Sequence, residues 1–284
     1  MRESYAVAMK IVTLDTLPLE TVIATFNEAF ADYVVPITLD RERFLNMQNR
    51  RGFAAELSVG VVDNERLVAI SLTGFGNWLG APAGYGSGTG VIPAARNRGF
   101  AGEMMEKAVG LARERGAEKY VLEVMCRNEP ARRAYERVGF AIVRTLDCWA
   151  LDEIAGGSEM EVEMREGFSS APPSLGSWAP SWQNSDESLA RAPERVVTLT
   201  IARDRGLVAH AALCPETGDL PQFAVAPEMR RQGIGRALLA RARRISRMPL
   251  RIINTDAADA ATSAFLMAVG GTRTLAQHEM VRRT

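Results

Sequence analysis

The sequence predicts a mixed α/β protein of two tandem domains, each a twisted central sheet flanked by helices. Three observations carry that expectation. The 284 residues are about two domains' worth at roughly 150 residues each. A segment in the first half returns in the second, and the apolar patterning around both copies runs in the same order.

The repeated segment is Val91-Ile92-Pro93-Ala94-Ala95-Arg96-Asn97-Arg98-Gly99-Phe100-Ala101. Its echo is Val225-Ala226-Pro227-Glu228-Met229-Arg230-Arg231-Gln232-Gly233-Ile234-Gly235. Upstream, Leu67-Val68-Ala69 is echoed by Leu207-Val208-Ala209. Downstream, Val138-Gly139 is echoed by Val269-Gly270. Similar but drifting spacings describe one duplicated unit: strands, a turn, a helix, a strand, a short helix and a final strand.

Residues 57–62 and 67–72 are apolar runs joined by Asp63-Asn64-Glu65-Arg66, a hairpin signal. The second copy has residues 196–201, the turn Arg203-Asp204-Arg205-Gly206, and residues 207–213. A helix opens at residues 98–101, where Phe100, Met104, Ala108 and Leu111 share a face, and Gly116 ends it. Ile234, Leu238 and Ala242 repeat that face. Residues 120–126 form an almost wholly apolar strand. Asn128-Glu129-Pro130 then starts a short helix that Gly139 stops.

The domains are expected at residues 1–153 and 159–284, joined through Ala155-Gly156-Gly157-Ser158. The Pro/Ser/Gly-rich stretch 169–177 is the other candidate join. Between them Met160, Val162 and Met164 alternate with glutamates, the pattern of a half-buried strand that opens the second domain or closes the first.

Composition narrows the function. The chain is 47% hydrophobic and 24% charged, with no apolar run of membrane-spanning length. Its N-terminus, Met1-Arg2-Glu3-Ser4-Tyr5, does not read as a signal peptide, so the cytoplasm is the expected compartment. Cys126, Cys148 and Cys214 form no C-x-x-C pair and read as reduced thiols. His210 and His278 stand apart from other ligands, so no metal is expected. Net charge is zero with no basic run, which argues against nucleic acid as partner.

A strand, a glycine-containing turn and a helix start make an anion site, because the first N–H groups of a helix lack internal partners and its dipole favours negative charge. One such turn is weak evidence, more often a helix start with a convenient glycine; two matching copies raise it. V-x-P-x-x-R-x-x-G-x-[AG], followed by N-x-x-A-x-x-x-Y-x-x-x-G-F, resembles the GNAT superfamily of acetyl-CoA-dependent N-acetyltransferases, and the resemblance covers both halves. It implies a sheet splayed between its fourth and fifth strands, with pantetheine in the opening and pyrophosphate on the turn. The cofactor-binding residues it implies are Val91, Arg96, Asn97, Arg98, Gly99, Phe100, Ala101 and Asn128. In the second copy they are Val225, Arg230, Arg231, Gln232, Gly233, Ile234 and Gly235.

Glu123 interrupts an apolar strand, and a carboxylate there costs several kcal/mol unless paired or used. An ion pair with an arginine such as Arg127 and a general base that takes an amine's proton are equal readings of the residue alone. Ala131, Tyr135 and Val138 share one helix face, so Tyr135 points inward. A core aromatic is the commoner explanation. The other is an acid for a departing coenzyme A thiolate, since ordinary phenol and thiol pKa values lie within about two units. The pattern L-E-V-x-x-x-N-x-x-A-x-x-x-Y-x-x-x-G-F is similar to that of ribosomal-protein N-terminal acetyltransferases, which implies Glu123 as base and Tyr135 as acid.

The second copy departs from this pattern. Aligning Val138-Gly139 with Val269-Gly270 puts Leu266 at the tyrosine position, Asp259 at the asparagine position and Asn254 at the glutamate position. That half is expected to be degenerate, binding CoA without using it or serving as scaffold. Two further segments stand out. Phe30-Ala31-Asp32-Tyr33-Val34-Val35-Pro36 reads as a packing cluster, or as a site for a cationic amine. Trp178-Ala179-Pro180-Ser181-Trp182-Gln183-Asn184 reads as packing under a loop, or as a substrate groove. The expected function is transfer of an acetyl group from acetyl-CoA to a primary amine, on a small molecule or a protein N-terminus. An acyltransferase using the second site and a non-catalytic acyl-CoA-binding protein are the rivals, and a homodimer stays open.

Overall fold

A computed structural model of the chain describes residues 9–33, 38–154, 160–172, 175–176, 178–204 and 206–284. The N-terminal segment read for localisation, Val34 to Pro36, the 155–158 join, Arg205 and parts of the 169–177 stretch lie outside the described residues. By internal contacts the chain forms two units, Met1–Ala141 with Met280–Thr284, and Ile142–Glu279.

Unit 1 runs β1 (Lys10–Thr13), α1 (Leu19–Phe30), α2 (Arg41–Arg51), β2 (Val59–Asp63), β3 (Arg66–Trp78), β4 (Ala81–Val91), α3 (Phe100–Glu114), β5 (Lys119–Met125) and α4 (Glu129–Arg137). Strands β1 to β4 pair antiparallel in chain order, and β5 joins β4 in parallel. The β2–β3 hairpin turns on Asn64 and Glu65, both at positive φ, the two-residue loop whose twist suits flanking strands. The arm formed by β3 and β4 reaches well beyond the expected 67–72 run. The glycine-rich composition of β4 hides its strand character from a reading based on alternation.

Each face of this sheet has its own cover. Phe100, Met104, Met105 and Ala108 of α3 pack on Val59, Val61, Tyr120, Leu122 and Val124. Val22, Ile23 and Phe26 of α1 and Phe44 of α2 pack on Leu67, Ile70 and Leu72. Successive strand residues alternate between these faces, so a side chain's face can be read from its neighbours.

Unit 2 contains β6 (Ala141–Leu151), β7 (Glu163–Glu166), α5 (Asp186–Ala190), β8 (Val197–Arg203), β9 (Gly206–Cys214), β10 (Asp219–Val225), α6 (Ile234–Ile245), β11 (Leu250–Asp256), α7 (Ala260–Ala268) and β12 (Thr272–Arg283). Its strand order is β12-β6-β11-β10-β9-β8-β7. The alternating Met160–Met164 pattern yields only the short β7, paired with β8, and its four residues are all exposed. It belongs to unit 2, where Met160 and Val162 just before it pack on the core while Met164 faces solvent.

The units do not coincide with the expected domains at 1–153 and 159–284. Strand β6, which ends the first repeat, pairs antiparallel with β11 of unit 2. The end of β12, which ends the second repeat, lies beside β5 in unit 1. A strand's pairing partner depends on long-range register, to which local composition is blind. Met280 is fully buried in the α3-side core of unit 1, and Arg282 Nη1 donates to the Val138 carbonyl at 2.6 Å. Met280→Ala is therefore expected to destabilise unit 1 by about 2–5 kcal/mol. Denaturant unfolding followed by exchange of the α3 and β5 amides checks this; unchanged stability would contradict it.

Candidate active site

The site begins where two strands part. Strands β4 and β5 pair from Ala83↔Lys119 to Gly86↔Leu122 and no further. Just there β4 carries an extra residue: Leu72 opposes Gly88 while Thr73 opposes Gly86, leaving Ser87 as a bulge. Helix α2 holds it. Ser87 Oγ donates to Gln48 Oε1 at 2.7 Å, and Arg51 Nη1 donates to the Ser87 carbonyl at 2.8 Å.

Beyond the bulge, the backbone of β4 faces the opening. Ile92 N donates to Val68 O, so the next pair, Ala69 and Val91, is a non-hydrogen-bonded pair of the antiparallel ladder. The N–H and C=O of Val91 consequently point away from β3, toward the side that β5 has left. The same parity holds for Thr89.

The expected anion turn follows directly. Asn97 at φ 64° and Gly99 at φ 86° are both left-handed, and α3 starts at Phe100. A Cβ on Gly99 would meet only Glu103 Oε1, at 4.0 Å, so within the protein glycine is required by φ and not by crowding. Arg96 lines the cleft at this turn and also clasps the turn from inside. Its Nε donates to Val91 O at 3.1 Å, and both Nη atoms reach Asp32, at 2.7 and 2.6 Å. That bidentate pair lowers the Asp32 pKa and raises that of Arg96. Arg98 pairs with Asp63 at 2.7 Å and lies over the Phe100 ring. With the Val91 carbonyl committed to Arg96, its N–H is the group left for a ligand.

A cleft of about 1060 Å³ runs along this turn and the parted strand, between Thr89, Val91, Arg98–Gly102 and the α4 residues Asn128, Ala134 and Arg137. Asn128 caps α4 by accepting from Ala131 N, and its Nδ2 donates to Tyr33 Oη at 3.3 Å. Phe30 and Tyr33 meet edge to face, and both line the cleft together with Asp32. Sequence reasoning missed Thr89, Arg127 and Arg137 as lining residues. Arg137 could have been found from its spacing along the α4 face; Thr89 could not, because the bulge shifts its strand's register.

Glu123 and Tyr135 sit on opposite faces of the sheet. Glu123 alternates with Leu122 and Val124, which belong to the α3-side core, so it points to the α1–α2 side. There its Oε2 accepts from the buried Tyr85 hydroxyl at 2.9 Å. Tyr135 is buried in the α3-side core and bonds Thr89, whose Oγ1 lies 3.1 Å from Ser71 Oγ. Burial pushes the Tyr135 pKa up to about 12, only partly offset by the Thr89 bond. That widens the separation from a thiol, which titrates near 8.5. Tyr135 stays protonated, and donates a hydrogen bond far more readily than a whole proton.

Unit 2 reproduces the turn without a glutamate or a tyrosine at the matching positions. Arg231 and Gly233 take the same left-handed angles, 66° and 80°, and Arg230 Nε donates to Val225 O at 3.1 Å. Asp259 caps α7 as Asn128 caps α4, and Leu266 is fully buried where Tyr135 stands. Asn254 replaces Glu123. It accepts from Gln277 Nε2 at 2.8 Å and donates to Ser181 Oγ at 3.1 Å. Helices α4 and α7 start and end at matching positions of the repeat, so the alignment holds without slip. Trp182 is core, while Trp178 lines a pocket of about 520 Å³ between β10 and β11. Among the described residues no cluster of metal-ligating side chains occurs, and no helix is long and apolar enough to cross a membrane.

Comparison with known proteins agrees with this geometry. The sequence profile of the Acetyltransferase (GNAT) family matches residues 21–140, and that of an Acetyltransferase (GNAT) domain matches residues 195–266. A mycothiol acetyltransferase from Corynebacterium aurimucosum is 38% identical over 61 residues, which is 22% of this chain and 20% of that protein. A tandem GNAT protein from the clavulanic acid biosynthesis pathway superposes with TM-score 0.66 at 13% identity, over 97% of this chain and 98% of that one. A GCN5-related N-acetyltransferase from Sphaerobacter thermophilus gives 0.67 at 16% identity, over 97% and 95%. These two structures share the fold.

Gly99→Ala is expected to cost about 1–2 kcal/mol, the penalty of a Cβ at left-handed φ, with no added clash. Chemical denaturation measures it; a neutral effect would show that the turn relaxes freely.

Proposed function

Because the chain belongs to the GNAT acetyltransferase family, with one domain in each half, we propose that its acyltransferase activity resides in unit 1. There an acetyl group passes from acetyl-CoA to a primary amine by direct transfer. The acceptor is a small molecule or a protein N-terminus, and the cytoplasm is the compartment that three free cysteines suit.

The observation that carries this reading is the placement of Glu123 and Tyr135 on opposite faces at the point where β4 and β5 part. The cleft fits acyl-CoA: an inward N–H at Val91 suits an amide-bearing arm, and the α3 N-terminus suits a pyrophosphate. When bound, acyl-CoA supplies a thioester-activated acyl group. Glu123 Oε2 takes a proton from the amine on the α1–α2 side, while Tyr85 orients that carboxylate. On the other face Tyr135 donates a hydrogen bond to negative charge developing on sulfur. Its dry surroundings strengthen that bond. Asp32 and Arg96 hold the turn that leads into α3.

Tyr135→Phe is expected to lower kcat by about 10²–10³-fold, the loss of one hydrogen bond to developing charge, with little change in affinity for acetyl-CoA. A retained rate would contradict the assignment, and binding without product across a panel of amines would favour a non-catalytic role. The pH profile adds a sign. A phenol raised to about 12 is protonated through neutral and mildly alkaline pH, so Tyr135 contributes no loss of kcat below about pH 10. Its contribution to stability is likewise complete below about pH 10 and disappears as pH rises through 12.

A further inference from the structure

Unit 2 keeps the anion turn, yet the space beside that turn is filled. In unit 1, Thr89 on β4, Ala101 after the turn and Ala134 on α4 line the cleft. The corresponding residues of unit 2 are Phe223, Gly235 and Phe265. Their exchange is coordinated. The rings of Phe223 and Phe265 stack, with centroids 5.6 Å apart and planes inclined by 13°. Both press on the turn: a Cβ added to Gly235 would lie 2.8 Å from Phe265 Cζ and 3.4 Å from Phe223 Cζ. Where unit 1 has two small side chains unit 2 has two rings, and where unit 1 has the alanine between them unit 2 has a glycine that leaves room for the rings.

The affected space is the one that matters for an acyl-CoA arm. Strands β10 and β11 pair at Asp219↔Arg251, and β4 and β5 end their pairing at Gly86↔Leu122, so each unit has an opening between the corresponding strands. Val225 again faces it: Ala226 N donates to Val208 O, which leaves Val225 and Ala209 as a non-hydrogen-bonded pair. Backbone and turn are thus competent, and side chains alone decide the outcome. The two rings also pack with the core of unit 2 beside Val225 and Met229, so swinging them aside exposes apolar surface.

We propose that the stacked Phe223–Phe265 pair occupies the acyl-CoA slot of unit 2, so that the chain has a single acyl-CoA site, in unit 1, and that these two residues determine which of its matching turns is used. The proposal rests on the assignment of acyl-CoA to unit 1 and deepens it. The second repeat has then lost donor binding through two ring substitutions, independently of its missing acid and base.

Calorimetric titration of the full chain with acetyl-CoA tests this. The expected stoichiometry is one per chain for the unaltered protein and none for Gly99→Glu, which places a carboxylate at the first turn. Phe223→Thr with Phe265→Ala, the residues of unit 1, should raise the stoichiometry to two, and to one in the Gly99→Glu background. One equivalent still bound by Gly99→Glu alone, or two by the unaltered chain, would overturn the proposal whether or not the opened variant folds. So would an opened variant that binds normally in unit 1 and gains nothing. No binding to the unaltered chain would instead overturn the assignment of unit 1.

Discussion

Strand β4 pairs with β5 for four residues and then leaves it, and backbone groups that a closed sheet would satisfy internally are left facing a gap. Unpaired backbone groups are costly in a dry interior and useful at a binding surface. The Ser87 bulge is the local device for this departure, and Gln48 and Arg51 hold it from α2. Everything else in the site is referred to that gap. The turn that follows β4 delivers the N-terminus of α3 to one end of it, and α4 forms its far wall.

On the proposed assignment, the gap also separates two groups of opposite duty. Placed on opposite faces, Glu123 has the Tyr85 hydroxyl for company and Tyr135 has Thr89. Burial holds Tyr135 in its protonated form, which suits stabilisation of charge on sulfur better than complete proton transfer. The Arg96–Asp32 clasp contributes rigidity: it spends the guanidinium on the protein's own turn, and the recurrence of the Arg230 Nε to Val225 bond shows that this use belongs to the repeat itself.

Much of this was legible in the sequence. The duplicated turn, the helix between Gly99 and Gly116, the short helix capped by Asn128 and the degenerate positions Asn254 and Leu266 all follow from local pattern, because caps, glycines and periodicity are local physics. Three things were not legible. The exchange of β6 and β12 between units is a matter of register. The inward turn of Arg96 depends on Asp32, far away in sequence, and the plug formed by Phe223 and Phe265 looks like ordinary core until the rings are seen against Gly235. The glycine-rich β4 shows the same limit, since its strand character comes from partners and not from its own composition.

The most direct measurement is residue-resolved amide hydrogen exchange with and without saturating acetyl-CoA. The account predicts slowed exchange at Val91 and across Gly99, Phe100 and Ala101, with Val225 and Gly233–Gly235 unchanged. Protection at the second turn, or none at Val91 and the first, would contradict it.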